Sequence, residues 1–272
     1  MKTVLFLLFF LNCISCNSQT AERTTYFPKQ MEIVSEVKDK ENVWVFILAG
    51  QSNMAGRGYV EPEDTVPVKR LLTINESGQL IIAKEPLHFY EPTLTGLDCG
   101  YSFGTTLIKN IPDSISVLLI PTAVGGSSIS QWLGDSVHRN VKLFSNFLEK
   151  LEIAKRYGVI KAVLWHQGES DANEKDILLY RKRLSELIAR FRSSVGNSNL
   201  PVLFGELGSF SNDKENWKLI NKEIHGYSST GKNNAVISTA DLEHKGDSIH
   251  FDSKGQRLMG KRFAEAWLEK FK

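Results

Sequence analysis

Apolar segments that predict buried strands alternate with segments of helical periodicity, and this alternation constrains the fold of the chain more than any other feature. Extended segments are predicted at 43–49, 116–120, 159–165, 201–204 and 235–238. Helices are predicted at 101–110, 141–157, 174–194, 213–227 and 255–271. A strand and helix order of this kind favours a single α/β domain in which helices flank both faces of a parallel sheet.

The first sixteen residues differ from the rest of the chain. Lys2 precedes an apolar run at 4–11, and small or polar residues follow up to Cys16. A run this short does not reach the about 20 apolar residues that span a bilayer, but it is typical of a secretory signal. We therefore predict a signal peptide at 1–16, a tether at 17–40 and one domain at 41–272. The protein is expected to be exported, either free or attached to a membrane through a lipidated Cys16.

The balance of charges and the cysteine positions exclude two classes of protein. Among the 272 residues, 33 Lys and Arg face 31 Asp and Glu, so the net charge is only +2, and the basic residues are scattered. Nucleic acid is therefore not an expected partner. Cys99 is the one cysteine well inside the predicted domain, which excludes an internal disulfide framework.

Polar turns follow the predicted strands at four places in the sequence. They lie around Ser52, around Gly126, around Gln167 and at 247–250. Because the carboxyl ends of parallel strands lie along one edge of a sheet, turns that are far apart in sequence are expected to meet there.

Three of these residues have the side chains that nucleophilic acyl transfer requires. Ser52 offers a hydroxyl, His250 a base, and Asp247 a carboxylate three residues before the histidine. Each also has a plainer interpretation, since Ser52 suits a helix cap and a His beside an Asp is common on surfaces. Glu169 is the alternative carboxylate for orienting His250, ranked below Asp247 because Asp247 is closer in sequence.

The same turns contain candidate donors for an oxyanion. Gly125 or Gly126 suits a loop whose backbone N–H must approach a substrate oxygen, and Gly126 is preferred of the two. The side chain of Gln167 and the backbone N–H of Ser52 are the other candidates. A tight turn and a buried glutamine, respectively, are the competing interpretations of the glycines and of Gln167.

Taken together, these segments resemble the carbohydrate esterases that include acetylxylan esterases and sialate O-acetylesterases, within the SGNH hydrolase superfamily. The matching segments are GQSNM at 50–54, GGS at 125–127 with Trp132, HQGESD at 166–171, and DSIHFD at 247–252 with Gly260. The resemblance implies a flavodoxin-like three-layer α/β/α sandwich with a central parallel sheet. Gln167 stands where the wider superfamily has Asn, a departure typical of this branch.

The resemblance also implies a function. Ser52 is expected to act as nucleophile and His250 as base, with Ser52, a glycine of the second segment and Gln167 forming the oxyanion hole. Gln51, Asn53 and Trp132 are the predicted substrate-binding residues. The expected protein is a serine esterase that removes O-acetyl groups from a glycan through an acyl-enzyme, without metal or cofactor. A non-catalytic carbohydrate-binding protein and an esterase or lipase for other acyl esters are the alternatives.

Overall fold

The computed structural model describes residues 23–35 and 39–272, so the predicted signal peptide and Cys16 lie outside the described residues. The strands are β1 Val43–Gly50, β2 Leu71–Ile74, β3 Leu80–Ile82, β4 Ser116–Pro121, β5 Val137–His138, β6 Val141–Lys142, β7 Val159–His166, β8 Val202–Gly205 and β9 Asn234–Ile237. The α-helices are α1 Ser52–Ala55, α2 Gly100–Ile108, α3 Ile129–Leu133, α4 Leu143–Tyr157, α5 Glu174–Val195, α6 Lys214–Ser228 and α7 Ser253–Phe271.

Seven strands form one sheet in the order β3-β2-β4-β1-β7-β8-β9. Every neighbouring pair is parallel except β2 and β3, which form an antiparallel hairpin at one edge. Strand β1 lies at the centre, between β4 and β7, so the turn that follows it opens at the middle of the sheet edge. The two short strands β5 and β6 pair only with each other.

Helices cover both faces of the sheet because the side chains of a strand alternate between its two faces. In β1, Val45 and Ile47 pack into the core formed with α4, α5 and α6, whereas Phe46 and Leu48 pack into the core formed with α2 and α7. All four side chains are fully buried. The predicted three-layer α/β/α sandwich is therefore confirmed, with the antiparallel β3 as the one exception to a parallel sheet.

Part of the segment that the sequence predicts to be a tether lies against the domain. The backbone N–H of Val34 donates to the carbonyl of Leu80 at 2.9 Å, and that of Ile82 donates to the carbonyl of Glu32 at 3.0 Å. Lys84 also forms an ion pair with Glu32 at 2.6 Å. Residues 32–34 thus extend the β3 edge. Within 23–35 and 39–272, no helix has the length and apolar character needed to cross a membrane.

Candidate active site

The turn after β1 depends on a glycine at its first position. Gly50 has a φ of +138°, and a Cβ there would lie 2.0 Å from the backbone oxygen of His166 on the neighbouring strand. Helix α1 then begins at Ser52, with Gln51 as its N-cap residue. Ser52 is therefore the first residue of the helix and not its cap, and its side chain is left for another role.

Ser52, His250 and Asp247 form a continuous chain of hydrogen bonds. His250 Nε2 lies 3.0 Å from Ser52 Oγ, and His250 Nδ1 lies 2.7 Å from Asp247 Oδ2. Asp247 Oδ1 also accepts the backbone N–H groups of Ile249 at 3.0 Å and of His250 at 2.8 Å. The carboxylate thus holds both the imidazole and the loop that carries it. The structure brings together the three residues that the sequence predicts as nucleophile, base and orienting acid.

The electrostatic environment keeps the base neutral and the acid ionised. Burial lowers the pKa of His250 below its ordinary 6.5, the charges of Arg57 and Lys245 lower it further, and Asp247 acts in the opposite sense. Burial raises the pKa of Asp247, but hydrogen bonds from His250 and Ile249 outweigh it and bring the pKa to about 2. At neutral pH the imidazole is therefore free to accept a proton, as a general base must.

Glu169, the alternative orienting acid, does not contact His250. Its Oε1 accepts a hydrogen bond from Asn53 Nδ2 at 2.6 Å and lies 3.7 Å from His166 Nδ1. The alternative assignment is therefore wrong in this structure, because the imidazole nitrogen that Glu169 would need is bonded to Asp247.

Asn53 is fully buried, so the predicted contact with substrate is not supported. Besides Glu169, its Nδ2 donates to the carbonyl of Ile249 at 3.1 Å, and its Oδ1 accepts the backbone N–H of Phe251 at 3.1 Å. These bonds attach the loop of His250 to helix α1. Asn53 therefore fixes the position of the His250 loop relative to Ser52.

Gly125 and Gly126 differ in what their N–H groups contact. Gly125 is buried, and its N–H donates to Glu91 Oε2 at 2.6 Å. Gly126 is exposed, has a φ of +75°, and makes no backbone hydrogen bond to another described residue. Of the two glycines, Gly126 therefore has the N–H available for an oxyanion, and it is the glycine that the sequence analysis prefers. The Ser52 N–H at the start of α1 is a second available donor.

Gln167 does not supply a donor in this arrangement. It is fully buried, and its Nε2 lies 2.6 Å from Asp171 Oδ2, 3.1 Å from Gln51 Oε1 and 3.2 Å from the carbonyl of Ser127. These acceptors engage both amide hydrogens. Asp171 in turn accepts the backbone N–H of Ile129 at 2.8 Å, so the pair joins the loop after β7 to the loop after β4.

The side chains of Gln51 and Trp132 are also buried and are not exposed to a substrate. Gln51 is 3% exposed, and its Oε1 accepts the backbone N–H of Ser170 at 3.2 Å. Trp132 is fully buried; its indole N–H donates to Ser127 Oγ at 2.9 Å and its ring lies 5.5 Å from that of Trp165. The substrate-binding roles predicted for these residues are not supported, because neither side chain reaches the cleft.

A charged cluster beside the glycine loop, formed by Glu91, Arg57 and Arg139, was not identified from the sequence. Glu91 accepts Arg57 Nη2 at 2.8 Å and Arg139 Nη1 at 2.6 Å, in addition to the Gly125 N–H. Glu91 and Arg57 lie in the stretch at 57–98, between the turn of Ser52 and helix α2, which contains no predicted strand or helix. No motif connects them with Arg139, which is 48 residues from Glu91.

An α/β fold with a Ser-His-Asp chain at the carboxyl ends of its strands is the arrangement of a serine hydrolase. Comparison with known proteins is consistent with this class. The carbohydrate esterase family described as sialic acid-specific acetylesterase matches residues 42–269. The chain therefore belongs to this carbohydrate esterase family.

Similar proteins have been found in plants and bacteria. A probable carbohydrate esterase of Arabidopsis thaliana, At4g34215, is 29% identical over 247 residues, covering 84% of this chain and 91% of its own. Its X-ray structure has a TM-score of 0.76 at 27% identity, covering 85% of this chain and 100% of that chain. NanS has a TM-score of 0.68 at 18% identity, covering 86% of this chain and 98% of that chain, and supports the fold alone.

Proposed function

We propose that this protein is a serine esterase that removes O-acetyl groups from a carbohydrate through an acyl-enzyme. The hydrogen-bonded chain from Asp247 through His250 to Ser52 is the observation that carries the proposal. Membership of the carbohydrate esterase family supports the carbohydrate ester as substrate.

In the first half of the reaction, His250 Nε2 takes the proton of Ser52 Oγ while that oxygen attacks the acetyl carbonyl carbon. The carbonyl oxygen gains the negative charge, which the N–H groups of Ser52 and Gly126 stabilise. The bond from the acetyl carbon to the sugar oxygen then breaks. The imidazolium returns its proton to that oxygen, so the sugar leaves as an alcohol and the acetyl group remains on Ser52.

In the second half, water takes the place of the sugar. His250 removes a proton from the water as its oxygen attacks the acyl carbon, and the imidazolium then protonates Ser52 Oγ as acetate leaves. Asp247 keeps Nδ1 protonated throughout, which leaves Nε2 as the basic nitrogen, and its charge stabilises the imidazolium.

Export of the enzyme is part of the same proposal. The apolar run at 4–11 followed by Cys16 supports a signal peptide, with the mature protein either free or tethered through a lipidated Cys16. Mass spectrometry of the mature N-terminus from the native host tests this. A chain that still carries residues 1–16 contradicts export.

Replacing the nucleophile tests the catalytic proposal. Ser52→Ala is expected to abolish acetate release from 4-nitrophenyl acetate and from acetylated oligosaccharides while leaving circular dichroism and thermal unfolding close to those of the unchanged protein. Ser170→Ala is the matched control, because that serine lies in the loop after β7 and bonds to Gln51 through its backbone N–H, which alanine keeps. Full activity of Ser52→Ala contradicts the proposal.

A further inference from the structure

The loop between β4 and α3 contains a β-turn whose central peptide carries the proposed oxyanion donor. The turn runs from Val124 to Ser127, and the Ser127 N–H donates to the Val124 carbonyl at 3.4 Å. Of its two central residues, only Gly126 has a φ in the left-handed region, at +75°. A positive φ at the third position alone is the pattern of a type II turn. The Gly126 N–H belongs to the same peptide group as the Gly125 carbonyl.

Rotation of this one peptide would remove the donor. Types I and II of the β-turn differ mainly in a rotation of the central peptide by about 180°. With glycine at both central positions, no Cβ opposes that rotation. Because a trans peptide is planar and directs its C=O and N–H to opposite sides, the rotated turn would place a carbonyl oxygen where the N–H is needed. An oxyanion site at Gly126 therefore requires a contact that holds this peptide.

His138 supplies that contact on the carbonyl side. Its Nε2 lies 2.9 Å from the oxygen of Gly125. A carbonyl oxygen only accepts, so Nε2 carries the hydrogen and donates it. The other ring nitrogen faces Gln131, whose Oε1 accepts the Ser128 N–H at 2.9 Å and whose Nε2 lies 3.4 Å from His138 Nδ1. Both ring nitrogens of His138 thus have partners that favour the tautomer with hydrogen on Nε2.

The backbone before the central peptide is held by other groups. The Gly125 N–H, which belongs to the preceding peptide, donates to Glu91 Oε2 at 2.6 Å. The Val124 N–H donates to the carbonyl of Gly50 at 3.2 Å, at the end of the central strand β1. Within 23–35 and 39–272, the bond from His138 is the one hydrogen bond made by the central peptide. The orientation of the Gly126 N–H therefore depends on His138.

The hairpin of β5 and β6 carries His138 to this turn. Each of its strands has two residues, and pairing between such short strands is weak support by itself. The adjacent Arg139 donates from Nη1 to Glu91 Oε1 at 2.6 Å, and the same carboxylate accepts the Gly125 N–H. The hairpin is thus attached to the glycine turn through His138 directly and through Glu91.

From this geometry we propose that His138 is a positioning residue of the oxyanion hole, which keeps the Gly126 N–H directed at the carbonyl oxygen of the substrate. The inference rests on the proposed esterase function. The bond from His138 also polarises the peptide, because a carbonyl that accepts a hydrogen bond makes the N–H of the same group a stronger donor. In this role His138 transfers no proton and acts only through the peptide.

Three variants test this role in steady-state hydrolysis of 4-nitrophenyl acetate. His138→Leu removes the donor, whereas His138→Gln keeps an N–H donor at the end of a side chain of similar length. Val137→Thr is the matched control, because this neighbouring side chain on β5 is 64% exposed and Thr is also β-branched. Circular dichroism and thermal unfolding show whether each variant keeps the fold. If His138→Leu does not fold, His138→Asn takes its place, since its shorter side chain does not reach the carbonyl.

The expected loss is confined to the transition state, where the oxyanion exists. His138→Leu should lower kcat and kcat/KM together by about tenfold or more and leave KM unchanged. Complete loss of an oxyanion donor, about 100- to 1000-fold, is the upper bound. The affinity for phenylboronic acid, which forms a tetrahedral adduct with a reactive serine, should fall in proportion. His138→Gln should remain within about threefold of the unchanged protein, and Val137→Thr should equal it.

Several results overturn the inference. One is a kcat of His138→Leu within about twofold of the unchanged protein. Another is a loss that lies in KM, or a loss as large in His138→Gln as in His138→Leu. A third is a lower kcat with an unchanged affinity for phenylboronic acid, because the tetrahedral adduct would then not depend on His138.

Failure of the esterase proposal gives a different result, because the unchanged protein then does not hydrolyse 4-nitrophenyl acetate. Crystal structures of the unchanged protein and of His138→Leu test the contact without turnover. We expect Gly126 to keep a φ near +75° in the unchanged protein and the central peptide to be rotated in the variant. A type II turn that persists in His138→Leu overturns the positioning role.

Discussion

Replacing Asp247 by Asn tests whether this carboxylate, and not Glu169, orients the catalytic base. An Asn oxygen still accepts the backbone N–H groups of Ile249 and His250, so the loop is expected to keep its conformation. Its amide nitrogen, however, would face His250 Nδ1 and donate to it. That contact favours the tautomer in which Nε2 carries the hydrogen, and such an imidazole cannot accept the proton of Ser52.

The size of the effect follows from the distance and the exposure. His250 Nδ1 and Asp247 Oδ2 are 2.7 Å apart. Unit charges about 4 Å apart interact by about 4 kcal/mol at an effective dielectric constant of about 20. Because the Asp247 side chain is 35% exposed, solvent screening reduces this to about 2 kcal/mol. The imidazolium exists only as the reaction proceeds, so about 2 kcal/mol corresponds to a loss of about 30-fold in kcat, and the wrong tautomer adds to it.

Steady-state kinetics with 4-nitrophenyl acetate at pH 8 measures this loss. Glu169→Gln is the matched control, because Gln retains an oxygen for the bond from Asn53 and Glu169 does not contact His250. We expect Glu169→Gln to lose less than about fivefold in kcat. The reasoning is refuted if Asp247→Asn keeps kcat within about threefold, or if Glu169→Gln loses the more of the two.

Three further results are expected. The acidic limb of the pH profile of kcat/KM should have its midpoint below pH 6.5, since burial lowers the pKa of His250 and only its neutral form is a base. Asp247→Asn should shift this midpoint lower still. A midpoint above pH 7 in the unchanged protein contradicts the lowered pKa. Asn53→Ala should reduce the free energy of unfolding in urea by about 3–5 kcal/mol, because buried partners lose their bonds; a loss under about 1 kcal/mol argues against its role. Trp132→Phe should lower stability by about 1–3 kcal/mol without changing KM, and a raised KM would restore a substrate contact.

Most of the fold could be predicted because buried parallel strands have a simple sequence pattern. The strand predicted at 159–165 differs from β7 by one residue, and the helix predicted at 174–194 differs from α5 by one. The antiparallel hairpin of β2 and β3 was harder to predict from the sequence. Strands β2 and β3 are not among the predicted strands, and the antiparallel direction of β3 follows from its pairing with β2, which local periodicity does not contain.

The site was predictable where its residues are close in sequence or follow a strand. Asp247 and His250 are three residues apart on one loop, and Ser52 follows the central strand. The buried positions of Gln167 and Trp132 were not predictable in this way. Gln167 is enclosed by Gln51, Asp171 and the hydroxyl of Tyr180, which donates to the Gln167 carbonyl at 2.7 Å, and only the assembled fold brings these groups together.

Labelling with a fluorophosphonate tests the central claim most directly, because only an activated serine reacts with such a probe. Peptide mass spectrometry of the labelled protein identifies the modified residue. We predict one probe per chain, on Ser52, with labelling lost in Ser52→Ala and strongly slowed in a variant that lacks the imidazole of His250. A protein that stays unlabelled, or that is labelled at another residue, contradicts the assignment of Ser52 as the nucleophile.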